Sequence, residues 1–155
     1  MRTVLDIETD SLDAKNIHCV VAKNIDENKT YSFIGEDCYT KLPNFINNHC
    51  KEIIMHNGVS FDAPVLNRLL NTKITIGQIT DTLIMSQLYN PERDKGHSLD
   101  SWGERIGLNK IEFNNFSQFS QEMLTYCKRD VDVTHQVYKR LIVEGKNFSK
   151  KSLRL

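Results

Sequence analysis

Met1-Arg2-Thr3-Val4-Leu5-Asp6-Ile7-Glu8-Thr9 opens the chain, and the reading of this stretch decides the fold. Thr3 to Ile7 has the apolar, β-branched character of a strand. On a strand, residues two apart project to the same face, so Asp6 and Glu8 point together while Ile7 points to the opposite side. Two carboxylates held that close repel, and each resists ionising unless a cation lies between them. A hard divalent ion with oxygen ligands removes the conflict. Taken alone, the pattern is weak, because most such pairs are solvated strand ends.

Outward from this strand, Cys19 to Ala22 and Thr30 to Ile34 read as two more, with Asp26-Glu27-Asn28 as a polar turn between them. Three strands on short connections predict an antiparallel meander. Leu42 to His49 has helical spacing, Glu52 to Met55 is a short apolar strand, and Phe61 to Leu70 reads as a helix with Pro64 in its first turn. Lys73 to Ile79 alternates imperfectly and is read as a further strand. Beyond it the period becomes helical: Asp81-Thr82 looks like a cap, Ser98 to Ile106 forms a helix after a polar loop at Asn90 to Lys95, and the last helix runs from about Gln121 to Glu144. This order predicts an α/β fold, a mixed sheet flanked by helices.

The 155 residues suffice for one domain with a real core. Twenty basic residues balance twenty acidic ones, so net charge gives no pointer to nucleic acid. A pure phosphate-binding module is usually basic, whereas a nuclease that holds cations on carboxylates brings its positive charge as metal. No apolar run is long enough to cross a membrane, and the N-terminus lacks a signal-peptide layout, so a cytosolic protein is expected. Cys19, Cys38, Cys50 and Cys127 are irregularly spaced, with no C-x-x-C pair, and reduced thiols are expected. The basic end of the chain (Lys146, Lys150, Lys151, Arg154) is expected to be a solvated, frayed terminus.

Two further segments carry carboxylates. Asn57-Gly58 marks a turn after the Glu52 to Met55 strand, and Asp62 opens the next helix. Capping by Asp62 or Ser60 explains that placement without any chemistry. Tyr126 and Asp130 lie four apart on the last helix and share a face. Asp130 sits at the edge of the apolar stripe, where a carboxylate is costly unless paired or bound to metal. Asp132 points elsewhere and is read as a solvent residue.

Asp6-Ile7-Glu8, Asn57…Phe61-Asp62 and Tyr126…Asp130 together resemble the three exonuclease motifs of the DEDD superfamily in its tyrosine subtype. They are most similar to those of the proofreading domains of family A DNA polymerases, phage replicases in particular. Asp81-Thr82-Leu83 and His97-Ser98-Leu99-Asp100-Ser101-Trp102-Gly103 extend the likeness, which covers about residues 3 to 144. Thr125 stands where the histidine subtype would carry its histidine.

The resemblance implies a ribonuclease H-like fold with a mixed five-stranded sheet, one exonuclease domain over residues 1–155, and two divalent cations, Mg²⁺ or Mn²⁺. Asp6, Glu8, Asp62 and Asp130 would be the metal ligands, Asp6 bridging the two ions, and Tyr126 would orient the attacking water. It further implies that Leu12, Asn57 and Thr9 contact substrate. Leu12 could equally be a core leucine, and Asn57 could simply make its turn. Phe113, Phe116 and Phe119 are read as packing residues that could also offer stacking faces, Phe61 as core, and His97 and Trp102 as support for the fold. The implied activity is 3′→5′ hydrolysis of single-stranded DNA ends to nucleoside 5′-monophosphates, in the host cytoplasm if phage-encoded. A separately encoded DNA polymerase is a candidate partner. An RNase D-like exoribonuclease and a non-catalytic nucleic-acid-binding accessory subunit are the rivals.

Overall fold

The computed structural model describes residues 1–153, with side chains to residue 147. Five strands form one sheet in the order β3-β2-β1-β4-β5. β1 (Arg2–Thr9), β2 (Ile17–Asn24) and β3 (Lys29–Ile34) are the antiparallel meander, while β4 (Glu52–Met55) lies parallel to β1 and β5 (Ile79–Asp81) parallel to β4. This mixed sheet with flanking helices is the architecture that the resemblance implies.

The alternation along β1 sets the layers. Leu5 and Ile7 face one core, shared with α1 (Asp37–Thr40), α2 (Leu42–His49) and α3 (Asp62–Leu70). Val4 faces the other, built with Cys19, Val21 and Ile54 against Met123, Leu124, Cys127 and Val131 of α6 (Gln121–Leu153). Asp6 and Glu8 continue the Val4 face, so they look toward α6. A third cluster packs Trp102 of α5 (Leu99–Ile106) on Val133, Val137 and Leu141 of α6, with Met85 and Tyr89 of α4 (Thr82–Tyr89) against it.

Two features open the sheet where the carboxylates lie. β1 pairs with β4 only over Arg2, Thr3 and Val4, so Asp6 and Glu8 extend past the end of that ladder. The pairing of β1 with β2 slips between Glu8 and Thr9, leaving His18 as the extra residue of a bulge. The ring of His18 then reaches the carbonyl of Phe116, at 2.9 Å, and ties down the segment before α6.

Several expected boundaries are corrected. Lys73 to Ile79 is not a strand. Thr75 and Gln78 make a reciprocal capping box around a 3-10 turn at Ile76–Gln78, which wins over the imperfect alternation, and the strand begins only at Ile79. The short helix α1 was not foreseen; four residues are too few to show a period. The last helix extends past Glu144 to Leu153, while the side chains of Lys150 and Lys151, and all of Arg154, lie outside the described residues. All four cysteines are free, as expected. No described helix is long and apolar enough to cross a membrane.

Candidate active site

Four carboxylates and a phenol converge from three elements. β1 supplies Asp6 and Glu8 on one face, α3 supplies Asp62 as its first residue, and α6 supplies Asp130 with Tyr126 one turn earlier. Glu8, Asp62 and Asp130 are buried, and Asp6 is partly so. Burial is the main force on each of them. It lifts Asp6 above the usual carboxylate range, against contacts with Glu8 and Cys127. Burial and then the Asp6 charge push Glu8 up to about 11, and the same two causes push Asp130 up to about 8 against the pull of Lys110. Asp62 is raised well above its ordinary value by burial, with Asp6 next. Asp6 is thus the neighbour common to the other three.

The donor set fits a hard cation. One carboxylate oxygen of Asp130, Oδ1, is buried without a hydrogen-bond partner. Asp6, Glu8 and the thiol of Cys127 can bring one ligand atom each within 4.8 Å of one another. Cys127 Sγ lies 3.4 Å from Asp6 Oδ2 and 3.5 Å from its carbonyl oxygen, so the thiol steadies Asp6 from the α6 side.

The residue at the cap position of α3 is Phe61, which makes no side-chain cap hydrogen bond, and Asp62 is the first residue inside the helix. Leu12 is 90% exposed, which excludes a core role. Thr9 is buried and donates to the carbonyl of Ser11, at 2.9 Å, shaping the turn that presents Leu12. A cleft of about 360 Å³ is lined by Ile7, Glu8, Thr9, Leu12, Phe61 and Phe116, so Phe61, read as core, also faces the cleft. Asn57 makes its turn with a left-handed backbone (φ 66°). Phe113 and Phe116 pack on the Tyr126 ring, at centroid distances of 5.5 and 6.0 Å. Phe119 packs against the α6 core, and Asp132 is exposed in a 3.6 Å ion pair with Lys23. His97 bonds Ser86 Oγ at 2.7 Å, and Trp102 Nε1 donates to the same oxygen at 3.0 Å, so both support the fold.

Three residues escaped the sequence reading. Lys110, in the segment between α5 and α6, places its ammonium 3.2 Å from the Tyr126 hydroxyl and 3.5 Å from Asp130 Oδ2. Asp81 was seen as a cap for α4, accepting from Leu83 N at 3.0 Å. It also accepts from Asn57 N at 2.9 Å and Val59 N at 3.1 Å, which anchors the turn leading to Asp62. Cys127 is read from the sequence only as one of four reduced thiols. No local pattern marks Lys110, because residues 107–120 have no period.

The sequence profile of the 3′-5′ exonuclease family matches residues 4–146. The chain belongs to the 3′-5′ exonuclease family. As a member, it is 25% identical to the DNA-directed DNA polymerase of Enterobacteria phage T3 over 191 aligned positions, covering 94% of this chain and 27% of that one. To the DNA-directed DNA polymerase of Escherichia phage T7 it is 26% identical over 137 positions, covering 62% and 20%. This exonuclease-family chain therefore spans about a quarter of those polymerases or less. Its fold is shared with Brucella melitensis NrnC. The NrnC structure with bound Mg²⁺ has a TM-score of 0.74 at 22% identity and covers 97% of this chain and 77% of NrnC; another holds pGG. The likeness to DEDD exonucleases near the family A polymerases, read from the motifs, is borne out.

The raised carboxylates of this exonuclease-family member have a consequence for stability. Asp130 and Glu8 bind protons more tightly folded than unfolded, so the cation-free fold loses stability as pH rises toward and through their folded values. His56 and His135, both lowered to about 4, act in the opposite sense, but only below the ordinary histidine range. From about pH 7 to about pH 9 the carboxylates dominate. We expect the melting temperature of chelator-treated protein to fall across that window, and Mn²⁺ to raise it more at the upper end. A chelated protein whose melting temperature is flat or rising there would contradict the burial of these clustered carboxyls.

Proposed function

We propose that the chain is a metal-dependent 3′→5′ exonuclease that hydrolyses phosphodiester bonds at single-stranded 3′ ends, DNA foremost, and releases nucleoside 5′-monophosphates. The observation that carries this reading is the convergence of Glu8, Asp62 and Asp130 on Asp6, with an oxygen of Asp130 left buried and unpartnered. Asp6, Glu8, Asp62 and Asp130 would hold two divalent cations, Mg²⁺ or Mn²⁺, with Asp6 shared between them. Such ions, when bound, acidify water and stabilise the attacking and leaving oxygens of an in-line displacement.

The remaining tasks fall to this chain's own groups. Tyr126, one helical turn from Asp130, offers its hydroxyl to the attacking water, as expected for the tyrosine subtype. Exposed Leu12, with Phe61 and Phe116 across the cleft, supplies apolar surface for the last bases. Thr9 and Asn57 lie at the turns that border the carboxylates and would contact the terminal nucleotide.

DNA is favoured by the likeness to the T3 and T7 polymerases, and a proofreading role beside a separately encoded polymerase is consistent with it. A second reading, an RNase D-like exonuclease of RNA or short oligonucleotides, draws support from the NrnC structure bound to pGG. The test is a 5′-labelled oligonucleotide, in DNA and RNA forms, with Mg²⁺, Mn²⁺ or chelator. The expected result is a ladder shortening from the 3′ end of the DNA strand, abolished by chelator. Faster loss of RNA would turn the assignment to the second reading. Binding without cleavage of either strand, under both metals, would leave only the accessory-subunit reading.

A further inference from the structure

We infer that Lys110 is a positioning residue of this site: its ammonium holds the Tyr126 hydroxyl and one oxygen of Asp130, and so aims both at the reacting atoms. The inference rests on the exonuclease reading above.

The geometry is specific. Lys110 Nζ lies 3.2 Å from Tyr126 Oη, 3.5 Å from Asp130 Oδ2 and 5.1 Å from the centre of the Tyr126 ring. An ammonium has only protons to give, so in this pair the phenol oxygen accepts. The hydrogen of the phenol is thereby left for another acceptor, such as the water or phosphate oxygen brought into the site. At Asp130 the division is similar. Oδ2 is engaged by Lys110, while Oδ1 has no partner and is buried. One cation thus sorts the two oxygens of the carboxylate, one for itself and one for the metal.

The Lys110 side chain is also held rather than free. Its side chain is only 18% exposed. The segment carrying it is fixed at both flanks: Arg129 Nη1 donates to the carbonyl of Asn109 at 2.8 Å, and His18 bonds the carbonyl of Phe116. Gly103 of α5 permits this approach, since a Cβ there would meet the carbonyl oxygen of Leu108 at 2.8 Å and Lys110 N at 3.4 Å. Phe113 and Phe116 of the same segment close on the ring of Tyr126, so its hydroxyl is clamped by one stretch of chain. A lysine tethered only for solubility would need none of this.

The test compares wild type with Lys110→Met, Tyr126→Phe and the double variant, reading single-turnover cleavage, Mn²⁺ affinity and the Lys110 ε-ammonium NMR signal. Lys110→Met should slow cleavage on the order of tenfold to a hundredfold, the scale of a misaimed reacting group. The double variant should be no slower than the slower single variant by more than about twofold, because the lysine acts through the tyrosine. Mn²⁺ affinity should be unchanged or higher in Lys110→Met, since a competing cation has left Asp130. The ammonium signal should be exchange-protected in wild type and lost in Tyr126→Phe.

Full cleavage by Lys110→Met, strictly additive losses, or a parallel fall in rate and Mn²⁺ affinity would each overturn the inference, the last by showing a collapsed site. Absence of a protected ammonium in wild type would overturn it whatever the rates. A wild type that cleaves nothing would instead sink the exonuclease reading, and the ammonium signal would still decide whether Lys110 holds Tyr126.

Discussion

Asp6→Asn is expected to remove cleavage almost entirely, with a fall of at least on the order of a thousandfold, the scale set by losing one preorganised electrostatic element. Asparagine keeps the shape of the side chain, so the contact under Cys127 is preserved in outline and the loss reports charge. The reason for so large an effect is the position of Asp6 among its neighbours: Glu8, Asp62 and Asp130 each feel its charge. On the proposed function, the ligand shared by both cations would be lost with it. The same substitution should leave the cation-free protein at least as stable at about pH 8, because a like charge is removed from a buried cluster. It should also abolish most of the melting-temperature gain from Mn²⁺. Cleavage retained above about a tenth of the wild-type rate would show that Asp6 is not the shared ligand.

Asp81→Ala should produce the largest loss of stability among single changes near the site. Asp81 is buried, and its carboxylate accepts three backbone N–H groups, from Asn57, Val59 and Leu83. Truncation leaves those donors without their acceptor. Hydrogen bonds to a charged group contribute about 1.5–3 kcal/mol each, but the exposed turn recovers some of this from water, so a net cost of roughly 2–4 kcal/mol is expected. For a chain of this size that corresponds to a melting-temperature drop on the order of 5–15 °C. Asp81→Asn should cost less, since one oxygen still serves Asn57 and Leu83 while only the Val59 bond is lost. Equal stability of Asp81→Ala and wild type by thermal or denaturant melting would refute the anchoring role. Cleavage should fall in step, as the turn that delivers Asp62 loosens.

How far the sequence reveals this arrangement differs from residue to residue. The face shared by Asp6 and Glu8 follows from the period of a strand, and that shared by Tyr126 and Asp130 from the period of a helix; both stand in the structure. The meander and the first parallel strand, Glu52–Met55, were likewise legible, because each has a short apolar run bounded by turn residues, whereas β5 begins only at Ile79, where the strand expected from Lys73 ends. Periodicity failed where local hydrogen bonding overrode it. Thr75 and Gln78 close a tight turn inside a segment that alternates like a strand. It is also silent about groups brought in by irregular chain. Lys110 reaches Tyr126 only through the packing of residues 108–110 on Gly103 and the tether at Asn109, neither of which has a signature in spacing. Leu12 shows the converse. Its residue type permits a core or a surface role, and only its exposure separates them.

The bulge at His18 and the segment it tethers divide the site by mechanical character. Asp6 and Glu8 stand on the central strand, hydrogen-bonded along its length to β2. Lys110 and the aromatics that clamp Tyr126 ride on a stretch whose amides, from residue 109 to 119, form no backbone–backbone hydrogen bond among the described residues. With side-chain ties but no backbone ladder, that stretch is expected to open at lower cost than the whole domain unfolds. The clamp on Tyr126 is then expected to release and re-form while the strand carrying Asp6 and Glu8 stays paired. On the proposed function, a nucleic-acid strand could enter or leave past it without disturbing the residues that would bind the cations.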